Sequence, residues 1–175
     1  LTSAARATDY YVSPSGNDSA AGTSQAAAWR TFTPVNGRAF APGDRILLEG
    51  GQTFTGGLTF DANDRGTAAR PITVTTYGAG RATLRSGAAN GLSAVNTAGF
   101  SISNLVFVGP GASTSTQSGV SFYADVAGDA RLAYVHIDHV DASGYRNGIA
   151  IGSWSGATGF TDVQVSHCDL HANQR

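Results

Sequence analysis

FSISNLVFVG at 100–109, VHIDHVDASG at 135–144 and VQVSHCDLHA at 163–172 are one phrase written three times. Stacked, their apolar positions coincide: Phe100, Val135 and Val163; Ile102, Ile137 and Val165; Leu105, Val140 and Cys168; Phe107, Ala142 and Leu170. Each copy alternates apolar and polar residues, skips one beat, then alternates again. Strict alternation marks a strand with one buried face, so each copy reads as two short strands joined by a bend. The skipped beat falls at Asn104, His139 and His167. Asn and His are among the few non-glycine residues that tolerate a left-handed backbone. We therefore expect these three to form a side-chain ladder inside the bend. Phe100, Ile102, Phe107, Ile137 and Val165 are expected to fill one continuous core.

A second phrase runs between the copies: GLSAV at 91–95, GVSFY at 119–123 and GIAIG at 148–152. Its glycines recur at 28 and 29 residues, and Gly57-Leu58-Thr59-Phe60 looks like an earlier copy. The repeat therefore carries three strands in about 28 residues. A unit of that size cannot bury its own apolar face and must stack on its neighbours. The first two bent copies are 35 residues apart and the next two 28. The surplus is DVAGDARLA at 125–133, expected as a surface loop.

Working back to the start, Tyr10-Tyr11-Val12 reads as a short strand and Pro14 to Gly22 as a loop. Trp29, Phe32, Val35 and Phe40 sit near helical spacing and predict a short helix over 29–40. Ile46-Leu47-Leu48 enters the first coil strand, with ITVTTYG at 72–78 and ATLRSG at 82–87 following. A solenoid's end otherwise exposes its core and an unpaired edge, so the atypical first segment reads as a cap. Residues 1–45 form the N-terminal segment and cap, and 46–175 the coils.

The 175 residues hold 41% hydrophobic and 13% charged residues, which supports a core and argues against disorder. The net charge of −1 offers no nucleic-acid footprint and no polybasic membrane patch. No apolar run approaches the length of a membrane span. Cys168 is alone, which excludes an internal disulfide, and its inward position makes it a small core hydrophobe. Ala5-Arg6-Ala7 reads as the small-residue tail of a removed leader.

YYVSPSGNDSAAGT, WRTF, PGDRILLEGG and GTAARPITVTTYGAG, in this order, resemble the N-terminal region of secreted bacterial right-handed parallel β-helix proteins of the pectate-lyase-like group. The resemblance implies an all-β, right-handed parallel β-helix of about four coils, three strands each, with an N-terminal cap containing a short helix. It implies a secreted or cell-surface protein and a polysaccharide partner, with no nucleic acid and no membrane. It also implies the front part of a polysaccharide lyase acting on an acidic, uronate polymer, or of a glycoside hydrolase. A non-catalytic glycan-binding or structural β-helix module is the competing expectation.

In the resembled enzymes the substrate groove follows the strands at 91, 119 and 148. The outward residues there are Ser93, Ser121, Tyr123, Ala150 and Gly152, which are small and almost uncharged. Uronate lyases need a cation to stabilise the enolate and a base to take the α-proton. Arg146, in the turn Tyr145-Arg146-Asn147, can meet a carboxylate bidentately or stand as a solvated loop arginine. His171 and Arg175 fall close to it if the coils stack. The candidate catalytic set is therefore Arg146, His171 and Arg175. Tyr123, Tyr145, Asn147 and Trp154 are the candidate substrate contacts, Trp154 by stacking on a sugar ring or, alternatively, by plugging the solenoid's side. Asp141 and Asp169 align one coil apart on an outward face. Solvent can screen such a pair, or calcium can bridge it; no cofactor is otherwise required. The chain ends on a bare coil, so further coils or end-to-end self-association are expected to cover it.

Overall fold

The structure, a computed structural model, describes residues 6–154 and 156–175. Ala5, the first residue of the expected leader tail, lies outside them. Among the described residues thirteen strands account for most of the order, and all pairings between them are parallel. They run β1 (Asp9–Val12), β2 (Arg45–Glu49), β3 (Thr53–Thr55), β4 (Leu58–Phe60), β5 (Ile72–Tyr77), β6 (Ala82–Arg85) and β7 (Leu92–Val95). β8 (Phe100–Val108), β9 (Ser118–Ala124), β10 (Arg131–Ser143), β11 (Asn147–Ser153), β12 (Gly159–Ser166) and β13 (Asp169–His171) follow.

The repeat phrase sets the register. Phe100 pairs with Val135 and Val135 with Val163, while Val140 pairs with Leu105. The bend at Asn104 (φ 57°) divides β8 functionally. Its first half pairs with β5, Ile72 opposite Phe100, and its second half with β6, Ala82 opposite Leu105. β10 divides likewise, with β12 beside its first part and β13 beside its last. The second, glycine-led phrase makes a separate sheet in the order β11-β9-β7-β4, with Leu58, Leu92, Val120 and Ile149 in one row. Each strand thus stacks on its counterpart one repeat away, a solenoid-like all-β fold.

The core lies between these runs of strands. Five phenylalanines thread it in series: Phe40, Phe60, Phe100, Phe122 and Phe160, with successive ring centroids 5.0–6.1 Å apart. Phe100, Ile102, Phe107 and Ile137 are fully buried as expected. Val165 is not: it is 47% exposed, because β12 is the last strand of its sheet among the described residues.

Two other expectations change. Trp29, Phe32, Val35 and Phe40 are all buried, but the α-helix is one turn, α1 (Thr33–Asn36). Pro34 suits only a helix start and Gly37 favours its end, so the four side chains reach the core from irregular chain. Trp29 stacks on Tyr10 (5.3 Å), and its indole N–H donates to the Ala20 carbonyl (2.9 Å), closing the cap over β1. The side chains of Asn104, His139 and His167 are exposed rather than internal. Both flanking inward residues, such as Ile137 and Val140, must face the core. Two consecutive positions between them therefore point outward, and the left-handed backbone at the second restores the inward parity. No helix among the described residues is long and apolar enough to cross a membrane.

Candidate functional site

The outer face of β10, β12 and β13 gathers the ionisable groups. All four histidines lie on it, and each imidazole nitrogen is within 3.2 Å of an aspartate oxygen: His136 with Asp162, His139 and His167 with Asp138, and His171 with Asp141. The local cause is the alternation of the repeat, VHIDHVD over VQVSHCD, which sends these polar beats outward in two adjacent coils.

Asp138 is the centre of the tightest cluster. His139 Nδ1–H donates to its Oδ2 at 2.6 Å, His167 Nδ1–H to its Oδ1 at 2.8 Å, and the Ser166 hydroxyl to Oδ1 at 2.8 Å. These hydrogen bonds, His167's foremost, hold the Asp138 carboxyl well below the usual carboxylate range. The two imidazole rings stack at 4.7 Å with 24° between planes. The histidines read from the sequence as internal are therefore a surface group. Its signal was the Asp138-His139 and Ser166-His167 alignment, hidden by reading the bend inward.

Asp141 and Asp169 pair in register as expected. His171 joins them, and one ligand atom from each of the three lies within 4.8 Å of the others. Asp141 Oδ1 is a buried oxygen without a hydrogen bond; His171 Nε2 is 3.2 Å away but badly angled for one. For calcium this set supplies two carboxylates and a nitrogen, short of the six to eight oxygens the ion takes.

The other candidates fall in two further places. Arg146 and Arg175 are stacked one coil apart, since the Arg175 N–H donates to the Arg146 carbonyl at 2.8 Å. Both side chains are exposed. Asn147 is half-buried, its amide 3.4 Å from the Ser118 hydroxyl. Trp154, 81% exposed, leaves the opposite end of β11. The seven residues of β11 separate it from Arg146, eight steps of extended chain or about 26 Å. Tyr123 is exposed on β9 in register with Gly152. The structure does not bring Trp154 and Arg146 into one subsite, and His171 turns to Asp141 rather than to Arg146.

Tyr145 must be withdrawn as a substrate contact, because it is completely buried. Its hydroxyl lies 2.8 Å from Ser86 Oγ, and burial pushes its ionisation upward. A Cβ built at Gly91, Gly109 or Gly119 meets its ring or hydroxyl within 2.9–3.4 Å. These glycines leave room for the tyrosine, and at Gly91 and Gly119 a Cβ would meet the carbonyl of the next strand-leading glycine closer still, at 2.5 and 2.6 Å.

A groove of about 560 Å³ was not anticipated. Arg65, Asn96, Asp125, Val126, Arg131 and Leu132 are among the residues lining it. It forms where the surplus 125–133 segment folds against the preceding coils, so the longer spacing between copies was its signal.

No known protein-family profile matches the chain. A stretch of 80 residues, 44% of the chain, is 41% identical to a lacto-N-biosidase of Bifidobacterium longum subsp. longum and covers 5% of that protein. The crystal structure of the GH136 lacto-N-biosidase from Eubacterium ramulus superposes on 93% of the chain with a TM-score of 0.76 at 19% identity. A rhamnogalacturonan lyase superposes on 96% of the chain with a TM-score of 0.50 at 13% identity. The chain spans 34% and 59% of these two structures. At such identities the superpositions establish a shared fold.

Proposed function

We propose that this chain forms about four coils, three strands each, of a right-handed parallel β-helix in a carbohydrate-active enzyme whose chemistry is glycoside hydrolysis. The observation that carries this reading is the 41% identity over 80 residues to a lacto-N-biosidase. It favours hydrolysis over the uronate elimination expected from the pectate-lyase-like resemblance. The fold likeness to a second lacto-N-biosidase is in keeping with it.

Two carboxyl groups about 5–5.5 Å apart are what a retaining glycosidase uses, one as nucleophile and one as acid and base. Asp141 and Asp169 stand in register, with a carboxylate oxygen from each within 4.8 Å of the other, which is near that separation. His171 beside them is a polar partner for the pair. Arg146, Asn147 and Arg175 at one corner and Tyr123 and Trp154 at the other end of the strands are sugar-contact positions in this reading. No cofactor is required, and calcium at Asp141 and Asp169 is the alternative role for the pair. The protein acts outside the cell, secreted or at its surface.

The test is an assay of the protein carrying this chain for lacto-N-biosidase activity, beside ultraviolet detection of unsaturated uronides from pectate and alginate. Hydrolysis reduced at least a hundredfold by Asp141→Asn and by Asp169→Asn is the expected result. Unsaturated products without hydrolysis overturn it in favour of a lyase. The scatter of the candidates over three places favours a second reading, a glycan-binding module, which binding without turnover would support.

A further inference from the structure

We propose that Asp138, His139 and His167 form a binding site for a divalent transition metal of the zinc type, spanning two adjacent coils. Three features point to a built site rather than a chance meeting of surface groups. The first is the backbone. His139 (φ 51°) and His167 (φ 48°) both take the left-handed backbone of the bend, which histidine tolerates and which leaves both side chains on the outer face. They occupy equivalent bends of neighbouring coils, and the ladder that pairs Asp138 with Ser166 fixes their separation.

The second feature is convergence. Both imidazoles turn the same nitrogen, Nδ1, to one carboxylate, at 2.6 and 2.8 Å, and one ligand atom from each of the three residues lies within 4.8 Å of the others. An ionised carboxylate only accepts, so each Nδ1 now carries a proton. With the ring protons moved to Nε2, both Nδ1 atoms and a carboxylate oxygen of Asp138 are free to meet a metal ion. Tetrahedral ligand bonds of about 2.0–2.2 Å set the donors about 3.3–3.6 Å apart, so each nitrogen would draw back from the carboxylate by roughly 0.5–1 Å. All three side chains are exposed enough to make that shift and to leave water the remaining coordination positions.

The third feature is selectivity. Two nitrogens and one oxygen suit zinc, nickel or copper, whereas calcium and magnesium require oxygen. Ser166, which hydrogen-bonds Asp138 Oδ1, supplies the outer support that orients a ligating carboxylate. The neighbouring Asp141, Asp169 and His171 provide an internal contrast, since their imidazole is poorly aimed. Because the ion would join the β10 coil to the β12 coil, binding stabilises the coil that has no neighbour on its outer side.

The 175-residue chain is titrated with zinc chloride by calorimetry, with calcium chloride in parallel, and melted with and without each ion. Zinc should bind one site and raise the melting temperature, and calcium should not compete with it there. His139→Ala and His167→Ala should each weaken zinc by roughly tenfold or more. His171→Ala should leave it unchanged, and circular dichroism checks that each variant folds. Replacing zinc with cobalt gives a second readout, the visible absorption of nitrogen-ligated cobalt, lost in the same two variants. Zinc affinity retained in the His139→Ala, His167→Ala double variant overturns the proposal. So does the absence of binding to the unaltered chain, or loss on His171→Ala alone.

Discussion

Val135 and Val163 are the same residue at paired register positions of β10 and β12, yet the first is fully buried and the second 40% exposed. Ile137 and Val165, and Ala142 and Leu170, repeat the contrast: buried in β10, 47% and 45% exposed beyond it. The two copies have nearly the same pattern and the same backbone. What differs is whether another coil lies on top. Burial in this fold belongs to the stack and not to the repeat, as expected when each unit touches only its neighbours. The opposite end shows the remedy. There β1 is covered by the cap, where Trp29, Phe32, Val35 and Phe40 are buried, and Asp44 and Asp64 accept backbone N–H groups of the covering loops.

The largest effect should come from the aromatic series. Phe100 meets rings on both sides, Phe60 at 5.0 Å and Phe122 at 5.7 Å, while Phe160 meets Phe122 at 6.1 Å. Phe100→Ala should cost about 3–5 kcal/mol in urea unfolding, and Phe160→Ala less than half as much. Equal costs would mean that the outer coil is as well covered as the inner ones. Next comes the capped end. Asp64 is buried and accepts the N–H groups of Phe40 and Asp61, both at 2.8 Å, while desolvation raises its pKa. Asp64→Ala strands both donors and should cost about 2–3 kcal/mol. A cost below about 0.5 kcal/mol would show that water reaches these groups and that the cap is looser than its hydrogen bonds imply.

Much of this was legible in the residues. The three stacked phrases predict the pairing of Phe100, Val135 and Val163, because apolar alternation leaves only one register that turns all three to the same inner face. Asn and His at the skipped beat predict the left-handed bends. The direction of those side chains was not legible from residue type, since the bend decides parity, and that concealed the Asp138, His139 and His167 cluster. Near-helical spacing over 29–40 misled because Trp29, Phe32, Val35 and Phe40 enter the core one by one from a segment that Pro34 and Gly37 restrict to a single turn. Tyr145, flanked by Gly144 and Arg146, resembled an exposed turn residue. Its burial depends on space left by Gly91, Gly109 and Gly119, which are distant in sequence. Of the site, the register of Asp141 and Asp169 was visible in the alignment, whereas the partner of each histidine depended on rotamers that no repeat encodes.

The most direct test is the matched pair Val135→Ala and Val163→Ala in the same chain, unfolded in urea at a dilute concentration that suppresses association. The chemistry removed is identical, so the difference isolates the covering coil. Val135→Ala should cost about 1.5–2.5 kcal/mol, from two buried methyl groups and the cavity they leave. Val163→Ala should cost less than about 1 kcal/mol, since nothing covers its outer side. Equal losses at the two positions would contradict the stacking origin of burial.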